Sequence, residues 1–210
     1  MNTALVEKRL ETPAESPFEE NDPEEQHLLI RNVTWQQYQT LRDMFDDRPG
    51  LRMFYLKGML EIMSPSNKHE LCKKMIARLL EMYAVERSIA LNGHGSTTFR
   101  VEAAERGLEP DECYVIGEFH EVPDIALQVV VSRGQIDKLE IYQGLEVPEV
   151  WFFQRGKFSI FYLREHGYER IERSEFLPDL DLDVLLSFVN WQDQTQAVRT
   201  YQQALRQSQG

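Results

Sequence analysis

The sequence lacks any apolar run of 18 residues, so nothing in it reads as a membrane-spanning helix. Its N-terminus has no basic stretch followed by an apolar one, and the expectation is a chain without a secretory signal. Cysteine is scarce. Cys72 and Cys113 are the only two in 210 residues, too few for a disulfide framework, and the absence of CxxC excludes a structural zinc site built from cysteines. A reduced, cytoplasmic protein is the natural expectation. None of the five histidines (His27, His69, His94, His120, His166) stands at HxxxH spacing, which argues against histidine-held zinc. There is no GxGxxG and no GxxxxGK[ST], so phosphate-cradling loops have no support, and Gly93-His94-Gly95 is too short to supply one. No GxSxG elbow is present either. Positive charge is also in short supply: 23 Lys and Arg face 35 Asp and Glu, a formal net charge of −12. That balance excludes a surface that coats nucleic acid non-specifically, which needs a basic face.

The 42% of hydrophobic residues is enough for one full core in a chain of this length. The acidity is concentrated. Residues 1–25 hold eight acids and two bases, a net −6, together with Pro13, Pro17 and Pro23 and little apolar periodicity. We read residues 1–29 as an acidic, flexible tail and 30–210 as one domain beginning near Ile30. Thr34 reads as an N-cap for a short helix over 34–47, carrying Trp35, Tyr38, Leu41 and Phe45, which Pro49-Gly50 ends. Residues 51–56 and 59–63 read as a hairpin turning at Lys57-Gly58. A long helix is expected over about 66–88, with Leu71, Met75, Ile76, Leu79 and Tyr83 on its apolar face. Strands follow at 97–102, 112–117 and 124–131, a helix at 135–144, strands at 148–154, 158–164 and 167–171, and terminal helices at 182–190 and 193–208. This order makes a mixed α/β sandwich rather than a doubly wound nucleotide fold. Asp179, Asp181 and Asp183 form DxDxD, but an apolar run follows instead of an EF-hand loop, and they read as N-terminal acids of the next helix. The aromatics of 151–153 and 158–162 could stack bases, but at strand spacing they read as core.

The stretch richest in chemistry runs from Glu109 to Tyr142. Asp111 stands at the start of one strand, and Gln128 lies seventeen residues later in the middle of the next. Lys138 follows just beyond. Oxygen ligands on adjacent strands can hold a hard divalent cation, and a Lys can stabilise a phosphate or an attacking hydroxide. Alternation puts Ile125, Leu127, Val129 and Val131 on one face of the strand and Asp124, Ala126, Gln128 and Val130 on the other. A core amide satisfied by its neighbours is the other reading of Gln128.

Several segments occur in one order and spacing. They are Gly58-Met59-Leu60-Glu61-Ile62-Met63-Ser64-Pro65, Lys68-His69-Glu70, Pro110-Asp111, Ile125-Ala126-Leu127-Gln128-Val129-Val130, Asp137-Lys138-Leu139 with Tyr142, and Val147-Pro148-Glu149-Val150-Trp151. Over about residues 30–165 the chain resembles the Uma-two family of restriction-endonuclease-like proteins, within the PD-(D/E)XK nuclease superfamily. The resemblance implies a central mixed sheet flanked by helices, here with an extra N-terminal hairpin and C-terminal helices. It also implies a site for Mg²⁺ or Mn²⁺ on two adjacent strands and DNA as substrate. Asp111 matches the motif Asp. Asp124 fits worse, being on the same strand as Gln128 and about 13 Å from it at strand rise, and it reads as a strand-start cap. Gln128 falls where the family has a metal-binding Glu, Val130 falls at the superfamily Lys position, and Lys138 is the counterpart of that Lys. Glu61 matches an acid that can point toward the site, and His69 matches a family His, with a helix-start surface His as its alternative. The resemblance thus gives Asp111, Gln128 and Glu61 as metal ligands, Lys138 as the group that stabilises developing charge, and His69 as a proton-transfer or phosphate-binding group. Glu-to-Gln keeps the shape and one carbonyl ligand but removes a negative charge, which lowers affinity for Mg²⁺. The expectation is a metal-dependent DNA endonuclease weakened by Gln128. The alternatives are a non-cutting binding or assembly module on the same fold and, further off, an unrelated α/β hydrolase. The two-fold symmetry of duplex DNA makes a homodimer the expected assembly.

Overall fold

The computed structural model describes residues 25–45, 50–132, 134–189 and 192–208. Two sheets organise it. The first is antiparallel and uses β1 (Gln26–Arg31), β2 (Arg52–Leu56), β3 (Met59–Ser64), β5 (Phe99–Val101) and β6 (Arg106–Leu108) in the order β1-β3-β2-β6-β5. The second uses β4 (Leu91–Gly93), β7 (Glu112–Ile116), β8 (Ile125–Val130), β9 (Glu149–Gln154), β10 (Lys157–Arg164) and β11 (Gly167–Ile171) in the order β11-β10-β9-β8-β7-β4. Its β8–β9 pair is parallel and its other pairs are antiparallel. Two parallel neighbours need a crossover, and α3 (Lys138–Gly144) lies in that connection.

Each sheet buries one face against helices. Tyr38 of α1 (Trp35–Phe45) packs with Met53, Tyr55 and Leu60 on the outer face of the first sheet. On the second sheet, Ile125, Leu127, Val129, Trp151, Phe153 and Ile160 meet α2 (Asn67–Arg87), α4 (Leu182–Ser187) and α5 (Gln194–Gln207). The inner faces join through Phe54, Leu56, Met63, Ala126 and Val150, with Ile141 and Tyr142 of α3. The expected alternation of β8 therefore holds: its odd positions serve the helical side, and Ala126 and Gln128 face the first sheet. This is a mixed α/β architecture of two sheets flanked by helices, and among the described residues no helix is long and apolar enough to cross a membrane.

Local chemistry explains the element ends that matter for the site. Ser66 is extended, and its hydroxyl accepts from the His69 amide at 3.2 Å, which starts α2 there and puts His69 in its first turn. Asp137 caps α3 in the same way, its side chain accepting from Leu139 and Glu140. Lys57 and Gly58 both have positive φ (44° and 85°), which gives the β2–β3 hairpin a turn that matches strand twist. Asp181 caps α4 and Asp183 lies in its first turn, so two of the DxDxD acids serve the helix start, while Asp179 precedes it. Asp124 accepts from the Ile116 amide at 2.7 Å and closes the β7–β8 loop.

The N-terminal boundary differs from the expectation. Residues 1–24 lie outside the described residues, but 25–29 are not tail: Gln26–Arg31 pairs with β3 in register from Gln26↔Ser64 to Arg31↔Met59. β1 is an edge strand whose inward positions begin with His27, just after the buried Glu25, so it lacks the apolar alternation that marks a strand. The expected hairpin is correspondingly two strands of a larger sheet.

Removing buried volume should test the layer that backs the site. Leu79→Ala, at a fully buried position of α2, is expected to lower unfolding free energy in urea by about 2–5 kcal/mol. Ser66→Ala should cost about 1 kcal/mol through the lost cap. Equal losses for the two would contradict this account.

Candidate active site

Five elements deliver polar side chains to one point between the sheets: Glu61 from β3, His69 from the first turn of α2, Asp111 just before β7, Gln128 from β8 and Lys138 from the start of α3. Glu61, His69, Asp111 and Gln128 are at most 1% exposed, so their polar atoms must be satisfied by the protein itself. Asp111 is held by its neighbour strand. Its backbone amide donates to the Leu127 carbonyl at 3.1 Å, and Oδ2 accepts from the Val129 amide at 2.7 Å and from Gln128 Nε2 at 2.6 Å. The other end of the Gln128 amide, Oε1, accepts from the Tyr142 hydroxyl at 3.3 Å.

Two residues of the N-terminal edge complete the cluster. His69 lies between two carboxylates, with Nε2 2.9 Å from Asp111 Oδ1 and Nδ1 2.9 Å from Glu25 Oε2. His27 lies between two more, with Nδ1 2.7 Å from Glu61 Oε1 and Nε2 3.2 Å from Glu25 Oε1. A ring that meets a carboxylate at both nitrogens must donate from both, which only the imidazolium can do. Ser132 caps Glu25 Oε1 from its amide (2.9 Å) and hydroxyl (2.6 Å). Glu61 Oε2 accepts from the Gln135 and Ile136 amides at 2.7 and 3.0 Å. The loop that supplies these amides passes so close that a Cβ on Gly134 would sit 2.5 Å from Glu61 Oε1.

The electrostatics follow from these contacts. Burial opposes charge on every member, yet pairing outweighs it for the acids and the histidines. Glu25 stays below the usual carboxylate range because bonds from His27, His69 and Ser132 overcome its burial. Glu61 is lowered, against burial, by His27 and the two loop amides. Asp111 is lowered, against burial, by the His69 charge and bond, by Lys138 and by the Val129 amide. His27 is raised to about 9 by its bonds to Glu25 and Glu61. His69 is raised to about 9, against burial, by Asp111 and Glu25. Lys138 moves the other way: burial lowers its ammonium despite the three carboxylates, and Nζ lies 3.9 Å over the Phe54 ring. Three carboxylates thus face two imidazolium rings, with Lys138 as a third basic group whose charge burial opposes.

The model of the Uma2 family, described as "Putative restriction endonuclease", matches residues 35–196. The chain belongs to the Uma2 family. No curated protein matches it. Membership of a restriction-endonuclease-like family ordinarily implies use of a divalent metal. In this Uma2 chain the donor set does not fit one as arranged. All six oxygens of Glu25, Glu61 and Asp111 already accept hydrogen bonds, and Gln128 turns its amide nitrogen, not its oxygen, toward Asp111. Among the described residues no group of three or more His, Cys, Asp or Glu side chains is placed to hold a metal ion. The surplus negative charge that attracts a hard cation is also small.

Of the five residues expected from the sequence, Glu61, His69, Asp111 and Gln128 share this hydrogen-bonded cluster, while Lys138 acts on its acids through charge alone and rests over Phe54. The roles expected for His69 need revision, because a fully buried ring bonded at both nitrogens reaches neither a proton on a substrate nor a phosphate. Glu25, His27 and Ser132 were not anticipated as site residues. The signal for the first two was the i, i+2 spacing of Glu25, His27 and Leu29 on one face of a strand.

Stability should follow the cluster's titration. The histidines, raised from 6.5 to about 9, stabilise fully below pH 6.5 and lose that contribution as pH rises through about 9. Glu25 and Glu61, lowered from 4.5, and Asp111, lowered from 3.8, stabilise above those values and lose it as pH falls. The melting temperature should therefore peak between about pH 4.5 and 6.5 and fall toward pH 9, with a shallower alkaline fall in His69→Gln. A wild-type melting temperature that is flat from pH 6.5 to 9 would show that the imidazolium bridges do not form.

Proposed function

We propose that this protein is a DNA endonuclease of its family whose hydrolytic power is reduced by Gln128. The observation that carries the reading is the buried Asp111 with the Gln128 amide on its Oδ2, where a second carboxylate is expected, and with the Lys138 charge acting on it from the start of α3. Lys138 is the group suited to stabilise charge on a scissile phosphate, because its ammonium is partly desolvated and stands beside the acids. His69 is a positioning residue that fixes the rotamer and charge of Asp111. The ion of this reading is Mg²⁺ or Mn²⁺, since the donors are hard oxygens, and the cluster as arranged does not accept it. A glutamate at 128 would restore one negative charge and replace the amide donor on Asp111. The reading places the protein in the cytoplasm with its DNA, as a homodimer matched to the two strands of a duplex.

A second reading is favoured by the saturation of every carboxylate oxygen: a nuclease fold that binds or assembles without cutting. Plasmid nicking in Mn²⁺ separates the two. Slow cutting by the wild type, a gain of tenfold or more (about 1.4 kcal/mol of barrier) in Gln128→Glu, and none in Asp111→Ala support the endonuclease. Cutting by Gln128→Glu alone supports the non-cutting module. No cutting by either rejects the endonuclease reading, and equal rates reject the role given to Gln128.

A further inference from the structure

A groove of about 790 Å³ opens beside the candidate site, between the loop entering α3 and the β9–β10 hairpin. Arg155 and Gly156 turn that hairpin with positive φ (52° and 73°), which sets Arg155 and Lys157 at its tip. Four cations line the groove: Lys138, Arg155, Lys157 and Arg170. The carboxylate among its lining residues, Asp137, is committed to capping α3. Lys157 and Arg170 are exposed, and neither makes an ion pair among the described residues. That sets them apart from Lys57, Arg52, Arg164 and Arg206, each of which meets a Glu. In a chain of net charge −12, neighbouring cations left without acids mark a place for an external anion. Lys138 belongs both to this groove and to the acid cluster, so an anion lying along the groove would end at the site.

The lining also bears on the kind of anion. Phe152 and Phe161 pack edge to face, with centroids 5.9 Å apart at 83°, and both are partly buried. They occupy each other and offer no platform on which unpaired bases would stack. The cations address phosphates, which position a helix without reading its sequence.

We propose that this groove is the track for the sugar–phosphate backbone of duplex DNA, with Lys157 and Arg170 neutralising phosphates and Lys138 marking the end that faces the acid cluster. The proposal rests on the DNA-directed reading above but not on cutting. Binding of this kind releases counterions, so it weakens with salt roughly in proportion to the contacts made.

Fluorescence anisotropy of a labelled duplex, with EDTA present so that no metal contributes, tests it. The full-length wild type should bind at about 50 mM salt and weaken steeply toward 200 mM. The double variant K157E/R170E should bind at least about tenfold more weakly, with a slope of log K against log salt smaller by about 2. K157Q/R170Q should fall between, and R164E, at the far end of β10, should match the wild type. Circular dichroism of each variant checks that these exposed changes leave the fold intact. Equal binding by wild type and both double variants would remove the groove while leaving the DNA-directed reading in place. No salt-dependent binding by the wild type would remove that reading together with the groove. Tighter binding of a single strand than of the duplex would overturn the assignment to duplex DNA.

Discussion

The bridge that His69 makes between Glu25 and Asp111 holds the rest of the site in place. It joins three parts of the chain: the start of an edge strand, the first turn of the long helix and the loop entering β7. The bridge is buried, so its charges cannot be shared with water. Removing one partner strands the others, at a cost of about 3–5 kcal/mol for a buried pair. That asymmetry makes the cluster cooperative. Asp111 depends on His69, His69 on Glu25, and Glu25 on His27 and Ser132. His27 in turn depends on Glu61, whose second oxygen is tied to the loop before α3. Backbone elements from both sheets are thereby locked in one register by a chain of charge-assisted hydrogen bonds.

The same network explains why a single amide matters more than its size. A nuclease centre needs an excess of negative charge to draw in a hard cation, and burial makes such an excess costly unless the cation is present. Here the excess is small because two imidazolium rings face three carboxylates, with Lys138 as a third basic group. Gln128 supplies a neutral donor to Asp111 where a carboxylate would have repelled it. The cluster is therefore stable without a metal, and that stability works against metal binding. A carboxylate at 128 would tip the balance by one charge at a point where Asp111 is 1% exposed and the dielectric is low.

Much of this was legible in the sequence, and the exceptions have physical reasons. The alternation of Ile125, Leu127 and Val129 against Ala126 and Gln128 is a direct consequence of the strand pleat, so the face carrying Gln128 could be read at once. Ser66 announces its helix by capping chemistry and places His69, whereas the helix read over 135–144 starts only at Lys138, after its Asp137 cap. Glu61 and His69 needed a family resemblance, because nothing local distinguishes an inward acid on a hairpin from an outward one. Glu25 and His27 were hidden in an acidic segment whose composition resembles a tail. β4 and β6, at three residues each, carry no period long enough to detect. Least legible of all was that the carboxylates were already satisfied, since most of the partners lie 34 to 107 positions apart in the chain. Local pattern reports which groups face inward, but only the tertiary fold decides whom they meet.

The charge balance gains meaning from the same distinction between total and place. At ordinary ionic strength, fields die away over about 8–10 Å, so a polyanion near the surface responds to the groups it faces rather than to the sum of −12. Several described cations, Arg52, Lys57, Arg164 and Arg206 among them, are paired with acids beside them and offer a phosphate little. The groove by the β9–β10 hairpin is different because its cations are in excess locally. On the proposed reading an acidic remainder becomes useful: it would disfavour other approaches of DNA and favour the one along the groove, with Lys138 at the end of its path. Net acidity is thus compatible with the DNA-directed function proposed for this protein, because one would set the direction of approach and the other would use it.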